Sequence, residues 1–108
     1  MPEVYILTAA AFKDEVLKSE LPVLVDFWAP WCATCRIMGP TLEEVAKEYK
    51  GRIKIGKINV EENGLSADNY DVRSVPYLAI FKDGKIIKET MGVIPKAALK
   101  EILDAVLR

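Results

Sequence analysis

The stretch Trp31-Cys32-Ala33-Thr34-Cys35 holds the only two cysteines of a chain that has no histidine. Four uses compete for thiols spaced this way. A structural zinc site takes four ligands, usually Cys or His, so these two would have to share a metal between chains. Covalent haem attachment needs His directly after the second Cys, and Arg36 stands there. A purely structural disulfide would close so short a loop that chain entropy credits it with only about 2 kcal/mol. Spectator thiols are common in protein cores, yet Cys32 falls at the start of a predicted helix and not in its middle. A redox dithiol accounts for spacing and position together, and the structural disulfide stays open as the plainer reading.

Position matters because the thiolate is the reactive form. A helix N-terminus offers unpaired N–H groups and the positive end of the helix dipole, and both favour charged sulfur. Cys32 is therefore expected to attack. Cys35 lies one turn on, in line with Met38 and Leu42, where burial favours the protonated thiol, so it is expected to resolve. Thr34 offers an N–H and a hydroxyl within the same first turn, both potential donors to the Cys32 sulfur. Trp31 and Trp28 can shield the sulfur, although either could equally be ordinary core, and Pro30 fixes the chain entering the helix.

Two charges are expected beneath the pair. Asp26 interrupts the apolar run Val23-Leu24-Val25-Asp26-Phe27-Trp28, and alternation puts it beside Leu24 and Trp28 on a covered face. An isolated buried carboxylate is costly, so it needs a purpose or a partner. Lys57 shares the alternation of Ile53 and Ile55 in a following strand, should be largely buried, and is the natural partner. Burial raises an Asp pKa and an adjacent Lys lowers it, and both outcomes stand open. As a proton acceptor for Cys35, directly or through water, Asp26 would be useful in turnover. As half of a structural ion pair it would contribute little, since such pairs are rarely net stabilising.

The elements that must hold these groups alternate. Val4–Leu7 reads as a short strand, Phe12, Val16 and Leu17 as one face of a helix, and Pro22–Trp28 as a strand covered on both sides. From Cys32 to Lys50, Cys35, Met38, Leu42, Val45 and Tyr49 recur at helical spacing, with Gly51 as the stop. Pro40 removes an N–H and should kink this helix. Residues 53–60 form the next strand, and strand, helix, strand implies a parallel crossover. The polar segment from Glu61 to Arg73 should carry one short helix. Residues 77–81 and 85–91 flank Lys82-Asp83-Gly84, with Gly84 supplying the positive φ of a hairpin turn. Pro95 opens a closing helix with Leu99, Ile102, Leu103 and Val106 on one face. The fold class is α/β, with a central mixed sheet.

Length and composition bound the rest. The 108 residues, about half of them apolar, suffice for one core and one domain spanning residues 1–108. The net charge is −1, and no basic stripe is present to neutralise phosphates, which argues against nucleic acid. No apolar run approaches the roughly 20 residues a membrane span needs, and Met1-Pro2-Glu3 leads straight into a strand pattern. The expected address is the cytoplasm, where a persistent structural disulfide would be unusual.

Taken together, these residues resemble the thioredoxin family along almost the whole chain. The run from Val23 to Cys32, Gly39-Pro40, Lys57, Val75-Pro76, Lys82-Asp83-Gly84 and Gly92 all stand in the family order, far more specific than Cys-x-x-Cys alone. The resemblance implies a five-stranded mixed sheet between helices and a cis Val75-Pro76 bond facing the cysteines. It further implies an apolar, substrate-binding rim of Trp31, Ala33, Thr34, Val75, Pro76, Met91, Gly92 and Val93, with Trp28, Pro30 and Pro40 in support. A cis-Pro76 would turn the Val75 backbone toward an extended client strand. Cys32, Cys35, Asp26 and Lys57 become the catalytic set of a protein disulfide reductase. The expected partners are disulfide-bearing client proteins and a separate thioredoxin reductase or equivalent electron donor, since no Gly-x-Gly-x-x-Gly binds a nicotinamide or flavin here. No cofactor is expected and the state should be monomeric. A dithiol oxidant or isomerase, or a non-redox binding module using the rim, are the alternatives. Three positions depart from the family pattern: Ala33-Thr34 replaces Gly-Pro, Tyr77 replaces the Thr after the cis-Pro and should add bulk near the groove, and Gly64 replaces a loop Pro.

Overall fold

A computed structural model describes residues 3–62 and 74–108. The expected helix between Glu61 and Arg73, and the departure at Gly64, lie mostly or wholly outside the described residues. Strands β1 (Val4–Leu7), β2 (Val23–Trp28), β3 (Lys54–Asn59), β4 (Tyr77–Lys82) and β5 (Lys85–Met91) form one sheet in the order β1-β3-β2-β4-β5. β1 and β2 pair with β3 in parallel, whereas β4 runs antiparallel to both β2 and β5, so the sheet is mixed as expected. β2 sits in the middle, which explains why almost every one of its residues is buried.

The strand period of two divides the core into two layers. Leu24 of β2, Ile55 of β3 and Leu78 and Ile80 of β4 face helices α1 (Ala33–Glu48) and α2 (Lys96–Leu107), which contribute Met38, Leu42, Val45, Leu99 and Leu103. Val23, Val25, Phe27, Tyr77, Ala79 and Phe81 face the other way, under Phe12 and Val16. Among the described residues that cover includes a π-helical segment, Lys13–Leu17, where the apolar spacing alone predicts an ordinary helix. Asp26 falls on the α1 face between Leu24 and Trp28, as alternation requires.

Three junctions differ in detail from the sequence reading. The β4–β5 turn carries positive φ at both Asp83 (53°) and Gly84 (79°), the two-residue form whose twist matches the strands it joins. The sequence places positive φ at Gly84; Asp83 shares it, because Asp tolerates the left-handed region through its short polar side chain. Pro95 is the N-cap of α2, one position before its first turn. α1 ends at Glu48 with Tyr49 as its C-cap, two residues before Gly51, which takes a positive φ of 84° but is not the cap expected of it.

Candidate functional site

β2 delivers the chain to the site and α1 carries it away. Cys32 is the N-cap of α1, and its Sγ accepts the Cys35 N–H at 3.1 Å, so the sulfur occupies the place a capping oxygen would take. The Cys32 and Cys35 sulfurs form a disulfide. Thr34 Oγ1 lies 3.3 Å from Cys32 Sγ, and since a disulfide sulfur carries no hydrogen the hydroxyl is the donor. Of the two donors expected from Thr34, the hydroxyl reaches the sulfur, while the N–H that does so belongs to Cys35.

Cys35 is buried as expected, but Cys32 is covered equally, 5% exposed each, so exposure does not distinguish the two thiols. Their partners do. Cys32 Sγ has Thr34 Oγ1 beside it, and the Val75 carbonyl oxygen 3.6 Å away, which a Cys32 thiol would find as an acceptor. Cys35 instead lines a cavity of about 250 Å³ together with Asp26, Trp28, Gly39 and Lys57.

Asp26 is 2% exposed, and its Oδ1 has no hydrogen-bond partner among the described residues. Burial pushes its carboxyl up from 3.8 to about 7, against the opposing pull of Lys57. Of the two outcomes left open by sequence, desolvation wins. Lys57 sits directly across from Asp26 in the β2–β3 register, but it is only half-buried, not largely buried as expected. Its flexible stem lets the ammonium reach the Trp28 ring, 5.6 Å from the centroid, and keep contact with solvent. Trp28 is thus both core and a platform for that charge.

The cis Val75-Pro76 bond is present, and Val75 packs against the cysteines. The Gly92 N–H donates to the Pro76 carbonyl at 2.8 Å, with Gly92 at φ 83°, which ties the end of β5 to this loop. Around it Trp31 (67% exposed), Met91 (64%) and Val93 stand in the open, with Ala33 and Thr34 also exposed and Pro76 buried. Pro30 is held by its carbonyl, which accepts from Arg36 Nη1 at 2.8 Å. Pro40 lies inside α1 and denies the Arg36 carbonyl its helical donor. Tyr77 does not crowd the groove: its ring packs on Phe27 in the opposite core layer, and its hydroxyl donates to Glu89 Oε2 at 2.5 Å.

The sequence reading missed Ile37, which is 59% exposed and one turn beyond Ala33 on the same face of α1. An apolar residue off the buried stripe, near the start of the helix that carries the cysteines, was the available signal. It also missed Arg36, Gly39 and Glu43 as lining of the cavity.

Comparison with known proteins bears directly on this arrangement. The thioredoxin family profile matches residues 3–105. This chain belongs to the thioredoxin family. It is 48% identical over 98 residues to thioredoxin 1 of Synechococcus elongatus, covering 91% of this chain and 92% of that one. Thioredoxin of Pseudomonas aeruginosa is 43% identical over 99 residues, at 92% of each chain. A chloroplastic M-type thioredoxin of Chlamydomonas reinhardtii is 45% identical over 96 residues, which are 89% of this chain and 69% of that one. Members of the family are thiol-disulfide oxidoreductases, and Cys32 and Cys35 are the redox pair of this thioredoxin-family chain.

Proposed function

We propose that this chain reduces disulfides of client proteins, with Cys32 as the attacking and Cys35 as the resolving thiol. The observation that carries the order of attack is the N-cap geometry: the Cys32 sulfur already receives one N–H and one hydroxyl, donors that stabilise a thiolate. The Cys32 thiolate attacks one sulfur of the client disulfide, joins it, and expels the other client sulfur as thiolate. Cys35 then gives up its proton and attacks Cys32, which closes the Cys32–Cys35 disulfide and releases the second client sulfur as thiolate, to be protonated from solvent. Two electrons have passed to the client, and a separate reductase returns them.

Asp26 is the proton acceptor for Cys35. Both line the same cavity, whose volume holds several waters at roughly 30 Å³ each, and Asp26 titrates near neutrality, where acceptance and release are both easy. Lys57 tempers the rise in the Asp26 pKa and so keeps the carboxyl in that range. Clients dock as extended segments against the Val75 backbone, over the rim of Trp31, Ala33, Thr34, Val75, Pro76, Met91, Gly92 and Val93, with Ile37 extending it. The working form is a one-domain monomer in the cytoplasm. Among the described residues no helix is long and apolar enough to cross a membrane.

Trapping decides the order of attack. Cys35→Ser should accumulate a stable mixed disulfide through Cys32, and Cys32→Ser should accumulate none under the same conditions. Equal trapping by both variants would overturn the assignment.

A further inference from the structure

The cavity that joins Cys35 to Asp26 has a mouth. Among its lining residues, Arg36 and Glu43 of α1 are exposed, and between them in sequence lies Gly39, partly exposed. A Cβ built on Gly39 would meet nothing within 4 Å. Any other residue here would project its side chain into that open space. A buried acceptor that takes a proton at every turnover must also lose it, and Asp26 is 2% exposed with its Oδ1 unpartnered among the described residues. Proton transfer to bulk therefore needs a route, and the lining supplies one with polar groups along it.

We propose that the gap beside Gly39, rimmed by Arg36 and Glu43, is the proton exit of the Cys35–Asp26 pair, and that Gly39 is a positioning residue which keeps it open. The inference rests on the reading that Asp26 accepts the Cys35 proton. On resolution the Cys35 S–H bond breaks, the sulfur keeps the electron pair for attack on Cys32, and the proton passes through cavity water to the Asp26 carboxylate. Before the next turnover it leaves by the same water to the rim and bulk solvent. Among the described residues, the charged and titratable groups that share the cavity with Asp26 are Lys57 from β3 and Cys35, Arg36 and Glu43 from α1; β1 contributes Val4, and β4 sets Leu78 across from Asp26, neither of which titrates.

Gly39 has a competing explanation, since it precedes Pro40 and a Cβ before proline is disfavoured in a helix. Gly39→Ala carries that cost with little added volume and is the control. Gly39→Leu and the more adaptable Gly39→Met carry the same cost and fill the gap, so one of them suffices if the other folds poorly. In rapid-mixing experiments on the full chain with a disulfide-bonded model protein, we expect Cys32 attack to proceed at the natural rate in all three. Resolution of the mixed disulfide should match the natural rate in Gly39→Ala and fall about tenfold in Gly39→Leu and Gly39→Met, a fraction of what general acid–base catalysis supplies. The carboxyl titration of Asp26, followed by carbon-13 NMR, should move to higher pH in the filled variants, because excluding water deepens its desolvation. Asp26→Asn is measured alongside. If it slows resolution while Gly39→Leu and Gly39→Met match Gly39→Ala, the exit is refuted and the acceptor role of Asp26 stands. If Asp26→Asn has no effect, the acceptor reading fails and the exit with it. Attack and resolution slowed equally in the filled variants would show interference with docking and would also refute the exit.

Discussion

Thr34 is the residue at which this chain departs most usefully from its family. Its hydroxyl sits 3.3 Å from Cys32 Sγ, whereas a proline there would offer neither hydroxyl nor N–H. A donor to sulfur favours the thiolate, and stabilising the thiolate stabilises the dithiol form against the disulfide. Removing it should make the protein a stronger reductant. Thr34→Val keeps the shape and deletes the donor, and if the bond is worth roughly 1.5 kcal/mol the two-electron potential should fall by about 30 mV. The Cys32 pKa should rise in the same variant. Equilibration against glutathione reads the first effect and thiolate absorbance the second; an unchanged potential would mean the hydroxyl is satisfied by water in the reduced protein. Tyr77, the other departure within the described residues, acts elsewhere. Facing Phe27, it belongs to the layer that holds β2 and β4 in place, and its effect should fall on stability and not on client choice.

At the level of elements, the β4–β5 hairpin fixes the far end of the strand that carries Pro76 at its near end. Gly84 is required there twice over: its φ is 79°, and a Cβ would come within 3.3 Å of the Leu17 carbonyl oxygen. Gly84→Ala should therefore cost about 1–2 kcal/mol, from the left-handed backbone alone, with the close contact adding to it. Urea unfolding measures the loss, and the rate of Cys32 attack should stay at its natural value because the turn is remote from the cysteines. Strands and helices were legible in the sequence because their periods are set by what must be buried: β1 and β5 have the expected bounds, and β2, β3, β4 and α1 differ only by a residue or two at their ends. The π-helical form of Lys13–Leu17 was not legible, since apolar spacing over five residues cannot separate it from an α-helix. At the site, Asp26 was legible as a charge in a covered run. The half-exposure of Lys57 was not, because alternation places a Cβ and says nothing of where a four-carbon stem ends. The cavity was invisible for a similar reason, being the space left between side chains of separate elements.

For the whole molecule, two carboxyls shifted in opposite directions should shape stability against pH. Asp26 titrates at 3.8 when unfolded and about 7 when folded. Between those values the fold retains a proton that the unfolded chain has lost, so stability is greatest below 3.8 and falls as pH rises toward 7, then levels off. The difference of about 3 units sets an upper limit of about 4 kcal/mol for this loss. Glu48 works the other way. Lys100 and Lys96 of α2 hold its carboxyl at about 2 instead of 4.5, tying the end of α1 to the start of α2 with contacts of 2.7 and 2.5 Å. Its contribution is present above 4.5 and lost as pH falls toward 2. Stability should accordingly peak in the mildly acidic range and not at neutrality. Asp26→Asn should flatten the limb between 3.8 and 7 and raise stability most on its alkaline side, while leaving the acid limb unchanged. Salt separates the two causes, since the exposed Glu48 pairs are screened whereas Asp26 is shielded by burial. Urea unfolding across pH, at low and high salt, should therefore show the acid limb shrinking with salt and the neutral limb keeping its slope. A neutral limb that survives Asp26→Asn would mean that some other group holds the proton.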